Sequence, residues 1–144
     1  MNPFNILGKR FNDVQHLLNH AGIKNVHDEL DDEEAPQFYV SAKDGTWELS
    51  LGNNQHIETI FINKPDKFST YLGFSSVTEI SKLEKIYGTS SVRRDQANIP
   101  FLGLKGAFTR FDNEKYLLHV EYEIDSTKIK MVTLMLPEVM KFSC

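Results

Sequence analysis

The chain has 144 residues, 40% hydrophobic and 11% aromatic, with 16 basic and 20 acidic side chains and a formal charge of -4. That length supports one buried core, the negative balance opposes nonspecific attraction to nucleic acid or anionic lipid, and no stretch approaches the roughly 20 apolar residues of a membrane helix. A single cysteine, Cys144, excludes a disulfide framework and a Cys-rich metal site.

In chain order, MNPFNILGKRFNDV holds no apolar run fit for a signal peptide, so a cytoplasmic protein is expected. Leu7, Phe11, Val14, Leu18 and Ala21 recur at steps of three and four, with Leu17 on the same arc, which predicts an amphipathic helix stopped by Gly22. The segment HDELDDEEAP, 27 to 36, is too charged to be buried and reads as a solvated loop ended by Pro36. From Gln37 the period becomes two. QFYVSAK, the turn pair Asp44-Gly45, TWELSLG, a second turn at Gly52-Asn53-Asn54, and HIETIFI predict a meander of three strands, the last with its apolar end covered on both faces.

NKPDKFSTYLGF reads as an irregular, aromatic-rich connection. In SSVTEISKLEKIYG, Ser76 and Glu79 have capping-box spacing, Val77, Ile80, Leu83 and Tyr87 form an apolar stripe, and Gly88 closes a second helix. A loop containing Arg93, Arg94, Pro100, Gly103 and Gly106 leads to AFTRF, KYLLHVEYEI and KIKMVTLML, the last two joined through Asp125-Ser126. Leu118, Val120, Tyr122 and Ile124 fall on one face of the middle strand, His119, Glu121 and Glu123 on the other. The expected fold class is α+β: two helix-plus-three-strand meander units over residues 1–144, forming an antiparallel sheet packed against two helices.

Catalytic and metal motifs are weak. His16 and His20 have helical i, i+4 spacing beside Asp13, but Leu17 stands where a zinc protease has glutamate, so they read as ordinary helix surface. His119 with Glu121 and Glu123 could furnish a general base, yet no nucleophile pairs with it, and a wet sheet face is the plainer reading. Arg110, between Phe108 and Phe111, reads as a structural partner of Asp112 or Glu121. The glycines at 103 and 106 make no phosphate cradle, and no P-loop is present. The acidic run lacks the order and the glycine of an EF-hand. Neither an enzyme nor a cofactor or metal is expected.

The acidic block itself is the strongest signal. Asp28, Glu29, Asp31, Asp32, Glu33 and Glu34 are six of the 20 acids, and the remaining 14 are outnumbered by the 16 basic residues. Such a patch either keeps the chain solvated or steers a basic partner. Nucleases are partners of that kind, because their substrate clefts must be basic.

The order IPFLGLKGAFTRFDNEKYLLHVEYEIDSTKIKMVTLMLP, preceded by SVTEISKLEKIYG and by W-x-L-x-L with IETIFI, resembles small immunity proteins of bacterial contact-dependent growth-inhibition and polymorphic toxin systems. Ile99, Pro100, Leu102, Gly103, Arg110, Tyr116, His119, Tyr122, Thr133, Leu134 and Met135 carry the likeness, which runs from Trp47 onward; Phe108 departs from it, tryptophan being the family residue. The resemblance implies an α+β protein that binds and blocks a cognate toxin domain in the cytoplasm, and it carries over no contact residues. From the sequence, the expected toxin-binding surface is the acidic block, with Tyr39, Phe68 and Tyr71 as exposed aromatic anchors. The rival expectations are a small-molecule binding protein or enzyme with a sheet-lined pocket around His119, and an adaptor that dimerises through a strand edge.

Overall fold

Two meanders of alternating apolar residues each leave one greasy face, and the molecule buries both by joining them edge to edge into one sheet. The computed structural model describes residues 2–18, 27–29 and 37–141. Strands β1 (His27–Glu29), β2 (Gln37–Ser41), β3 (Trp47–Leu51) and β4 (Ile57–Ile62) form one half. The other half holds β5 (Val92–Arg94), β8 (Phe108–Asp112), β9 (Leu117–Tyr122) and β10 (Ile129–Met135), with β6 (Ala97–Ile99) and β7 (Gly103–Lys105) set apart as a two-stranded hairpin. The eight-stranded sheet has the order β1-β2-β3-β4-β10-β9-β8-β5, and every described pairing in it is antiparallel. The fold is α+β.

Register explains where the core sits. Val40, Leu49, Ile60, Leu134, Leu118 and Phe111 face one another from strand to strand across the sheet, all buried. A second buried row runs Trp47, Ile62, Val132, Val120 and Thr109. Ile6 of helix α1 (Pro3–Ile6), Phe11, Val14 and Leu18 of α2 (Phe11–Leu18), Phe68 and Leu72 of α3 (Phe68–Leu72) and Leu83 of α4 (Ile80–Tyr87) join the same cluster, so the helices cover that face. Phe4, Tyr87 and Phe111 stack over it at centroid separations of 6.0 and 5.7 Å. Helix α5 (Pro137–Lys141) follows β10.

Several expectations change. The helix expected from Leu7 begins at Phe11, with a separate helix at Pro3–Ile6 ahead of it, because Gly8 adopts φ +82° and residues 8–10 lie against the start of β4, where the Gly8 amide donates to the Ile57 carbonyl at 2.8 Å and Arg10 bridges His56. Asp28 and Glu29 are not loop: they pair with Phe38 and Gln37 in an edge strand, where charged side chains are tolerated. Asp31, Asp32, Glu33 and Glu34, like Gly22 and His20, lie outside the described residues. The connection after β4 contains α3. Helix α4 begins at Ile80 with Glu79 as N-cap, leaving Val77 exposed and outside the stripe; Ser76 does not cap it, and its carbonyl accepts from the Ile129 amide at 2.8 Å.

Gly106 sits where a β-carbon would lie 2.2 Å from the Tyr122 carbonyl oxygen, a backbone atom that cannot swing aside. Gly106→Ala is therefore expected to cost about 1–3 kcal/mol through forced displacement of β8 from β9. Urea denaturation measures it, and an unchanged midpoint would contradict this close approach.

Candidate partner-binding surface

Alternation sends the second face of the sheet a different set of residues. Ser41, Glu48, Phe61, Thr133, His119 and Arg110 lie in register across it. His119 stacks on Phe108 at 4.8 Å, and the Arg94 guanidinium lies 4.9 Å over the same Phe108 ring. Arg110 grips Asp112 through two bonds of 2.7 and 3.0 Å, and Glu121 pairs with Lys130 at 3.4 Å. Asp112 and Glu121 thus have cationic partners of their own, and no hydrogen bond reaches the His119 ring among the described residues. Nor do the described residues hold any group of three His, Cys, Asp or Glu able to bind a metal. His16 stands exposed on α2.

Burial lowers the pKa of His119 below its ordinary 6.5; Glu121 opposes the shift, and Arg110 and Arg94 reinforce it. The unfolded chain then takes up this proton first as pH falls, so the native state loses stability on acidification through the unfolded value near 6.5. A titration of the His119 ring by NMR should give a midpoint below 6.5, and His119→Gln should remove this part of the acid sensitivity. A midpoint above 6.5 would reverse the sign.

Of the aromatic residues expected as anchors, Phe68 is 0% exposed. It opens α3 facing inward, and its place in the core removes it from any contact surface; that assignment is corrected. Tyr71 is half-buried, with its hydroxyl 3.3 Å from that of Thr46. Tyr39 is half-buried on the second sheet face, opposite Ser50.

Among the described residues the exposed aromatic is Phe101, on a hairpin that the sequence presents as mere loop. β6 and β7 pair as Ala97 with Lys105, Asn98 with Leu104 and Ile99 with Gly103. The Leu102 amide closes the turn on the Ile99 carbonyl at 3.1 Å. Pro100 occupies the second turn position, whose fixed φ suits it, and Phe101 the third, at φ +68°, a place where glycine is the ordinary residue. An L-residue held there costs about 1–2 kcal/mol. The Phe101 side chain is also wholly in solvent, at 108% of its reference area, with Leu102 at 64% and Leu104 at 50% beside it. Leu102, whose position fits a core or turn residue equally well in sequence, is therefore surface.

The hairpin is tied to the body at its base. The Gln96 amide donates to Asp125 at 2.7 Å, the Asp125 amide returns a bond to Gln96, and Arg94 donates to the Gly106 carbonyl at 3.3 Å. Both the strain at Phe101 and the apolar exposure of Phe101, Leu102 and Leu104 oppose the stability of the free molecule.

A cavity of about 370 Å³ opens beside that base, between the N-terminal end of α4, β5, β8 and the 126–127 turn. His119 is not among its lining residues. No protein-family profile matches the chain, and comparisons with curated proteins and with solved structures give no match either. No helix among the described residues is long and apolar enough to cross a membrane.

Proposed function

We propose that the protein is a cytoplasmic immunity protein that binds and neutralises a cognate toxin domain, a nuclease, without doing chemistry itself. The observation that carries this reading is Phe101, an aromatic side chain placed in solvent on a strained turn, flanked by Leu102 and Leu104. Aromatic residues at the centre of an interface supply most of its affinity. The acidic block supplies the complementary part: Asp28, Glu29, Asp31, Asp32, Glu33 and Glu34 steer a basic cleft toward the molecule. The hairpin then anchors the complex and excludes substrate. The sequence resemblance to toxin-immunity proteins points the same way. The partner is a protein domain; nucleic acid and membrane are not partners, and no cofactor takes part.

The test is inhibition of a nuclease toxin domain if one is encoded beside this chain, measured as nuclease activity with and without the purified protein; undiminished cleavage at saturating protein, or a neighbourhood with no such domain, would remove the proposal. Steering has its own test. Reversing the six acids to lysine should slow association by about 10-fold or more near 50 mM salt and much less near 500 mM, because exposed charges are screened beyond a Debye length. Stopped-flow association rates that do not respond to the reversal at either salt would assign the block to solubility alone.

A further inference from the structure

The pairs β5–β8 and β6–β7 belong to one ribbon. Arg94 pairs with Phe108 and Ala97 with Lys105, so Asp95-Gln96 on one side and Gly106-Ala107 on the other separate the two pairings without a change of register. The β6–β7 hairpin is thus an arm that continues the edge of the sheet. Phe101 stands at its tip, and the cavity of about 370 Å³, lined in part by Arg94, Asp95, Ala107 and Phe108, lies at its base.

The arm suits a second copy of the same chain. The outer edge of β6 has no strand beside it among the described residues. Edges kept from pairing are commonly guarded by charged side chains, as β5 is by Arg93 and Arg94, but Ala97, Asn98 and Ile99 of β6 carry no charge. Laid antiparallel about a two-fold axis at Asn98, two such edges set Ala97 against Ile99 and Asn98 against Asn98. The same axis brings Phe101 of each copy to the level of Asp95 of the other, at the mouth of the cavity. Asp95 faces a tip rather than its own copy, so no like charges meet across the axis.

We propose that the protein forms a symmetric dimer in which the two arms lie side by side and each Phe101 ring enters the other copy's cavity, against Val77, Ile80, Ala107 and Phe108. Anchor and receiving site lie at the two ends of one arm, so a single two-fold axis makes both contacts at once, as an isologous interface requires. The cavity volume of about 370 Å³ exceeds the roughly 150 Å³ that holds a benzene ring, and Val77, 64% exposed, leaves its wall open to an apolar group. Two arms and two cavity mouths make a small interface, so the dimer is weak, with a Kd on the order of 100 µM. The dimer does not rest on the toxin-binding role, and a strictly monomeric protein would leave that role untouched. Because both use Phe101, the two complexes exclude each other.

The experiment is sedimentation equilibrium of the full chain, alone, from about 10 µM to about 1 mM, a range that brackets the expected Kd. The average mass should rise from one chain toward two. Phe101→Gly and Val77→Asp, both at exposed positions, should each weaken self-association about tenfold or more while circular dichroism shows the native fold. Mixed in equal amounts, the two variants should associate more strongly than either does alone. Their heterodimer keeps one complete contact, the Phe101 of the Val77→Asp chain in the cavity of the Phe101→Gly chain, whereas each variant's own dimer has both contacts damaged. A mass of one chain at the highest concentration, either variant associating as the wild type does, or a mixture no stronger than its components would overturn the dimer.

Discussion

Replacing Phe101 by glycine should weaken binding to the proposed toxin partner by about 30-fold to 1000-fold while leaving the free protein as stable as before or more so. The binding loss is the cost of removing a central aromatic anchor, about 2–4 kcal/mol. The stability gain has a different origin. Phe101 holds φ +68° with its ring in solvent, so its removal takes away no packing and relieves about 1–2 kcal/mol of left-handed strain, partly offset by the greater freedom of glycine in the unfolded chain. Phe101→Ala gives the complementary result, losing the anchor but keeping the strain, so it should bind as poorly as the glycine variant and be the less stable of the two. Calorimetric titration and thermal unfolding read the two quantities separately. Should Phe101→Gly bind unchanged, the hairpin is not the anchor.

Phe68 gives the opposite pattern. Phe68→Ala is expected to destabilise the protein by about 3–5 kcal/mol, because it empties a fully buried aromatic site between α3 and the sheet. Phe68→Leu, which keeps most of the volume, should fold and should bind the toxin with wild-type affinity. A folded Phe68→Leu protein that no longer binds would return the residue to the contact surface. A Phe68→Ala protein with an unchanged unfolding midpoint would place it outside the core.

The two meanders were legible because their strands are five to seven residues long and alternate cleanly, and because Asp44-Gly45 names its own hairpin. Asp44 accepts from both the amide and the hydroxyl of Thr46, which bonds hold its carboxyl below the usual value of 3.8. Phe68 was not legible as core. Its neighbours are polar, its helix is only five residues long, and no period of 3.6 can be read over so short a stretch. The hairpin of Phe101 was hidden for a related reason: its strands have three residues each, and IPFLGL looks like core until its partners are known. The signal available was Pro100 followed by a turn position that asks for glycine and receives phenylalanine. A residue that breaks a local rule in this way is itself a pointer to function.

The acidic block divides along the same lines. Asp28 and Glu29 pair in a strand at the edge of the sheet, where composition alone assigns a loop. His119 shows the limit of reading a catalytic group from its strand face: Glu121 lies on the same face as expected, but Lys130 across the β9–β10 pair holds it, and Phe108 stacks on the ring. The neighbours that decide a histidine's role come from other strands.

The most direct test is hydrogen exchange of the protein alone and in complex with the proposed toxin domain. The account predicts that the amides of Phe101 to Lys105 become strongly protected in the complex, together with slower exchange at the Gln96–Asp125 base. A complex in which those amides exchange as they do in the free protein, with protection confined to another face, would contradict it.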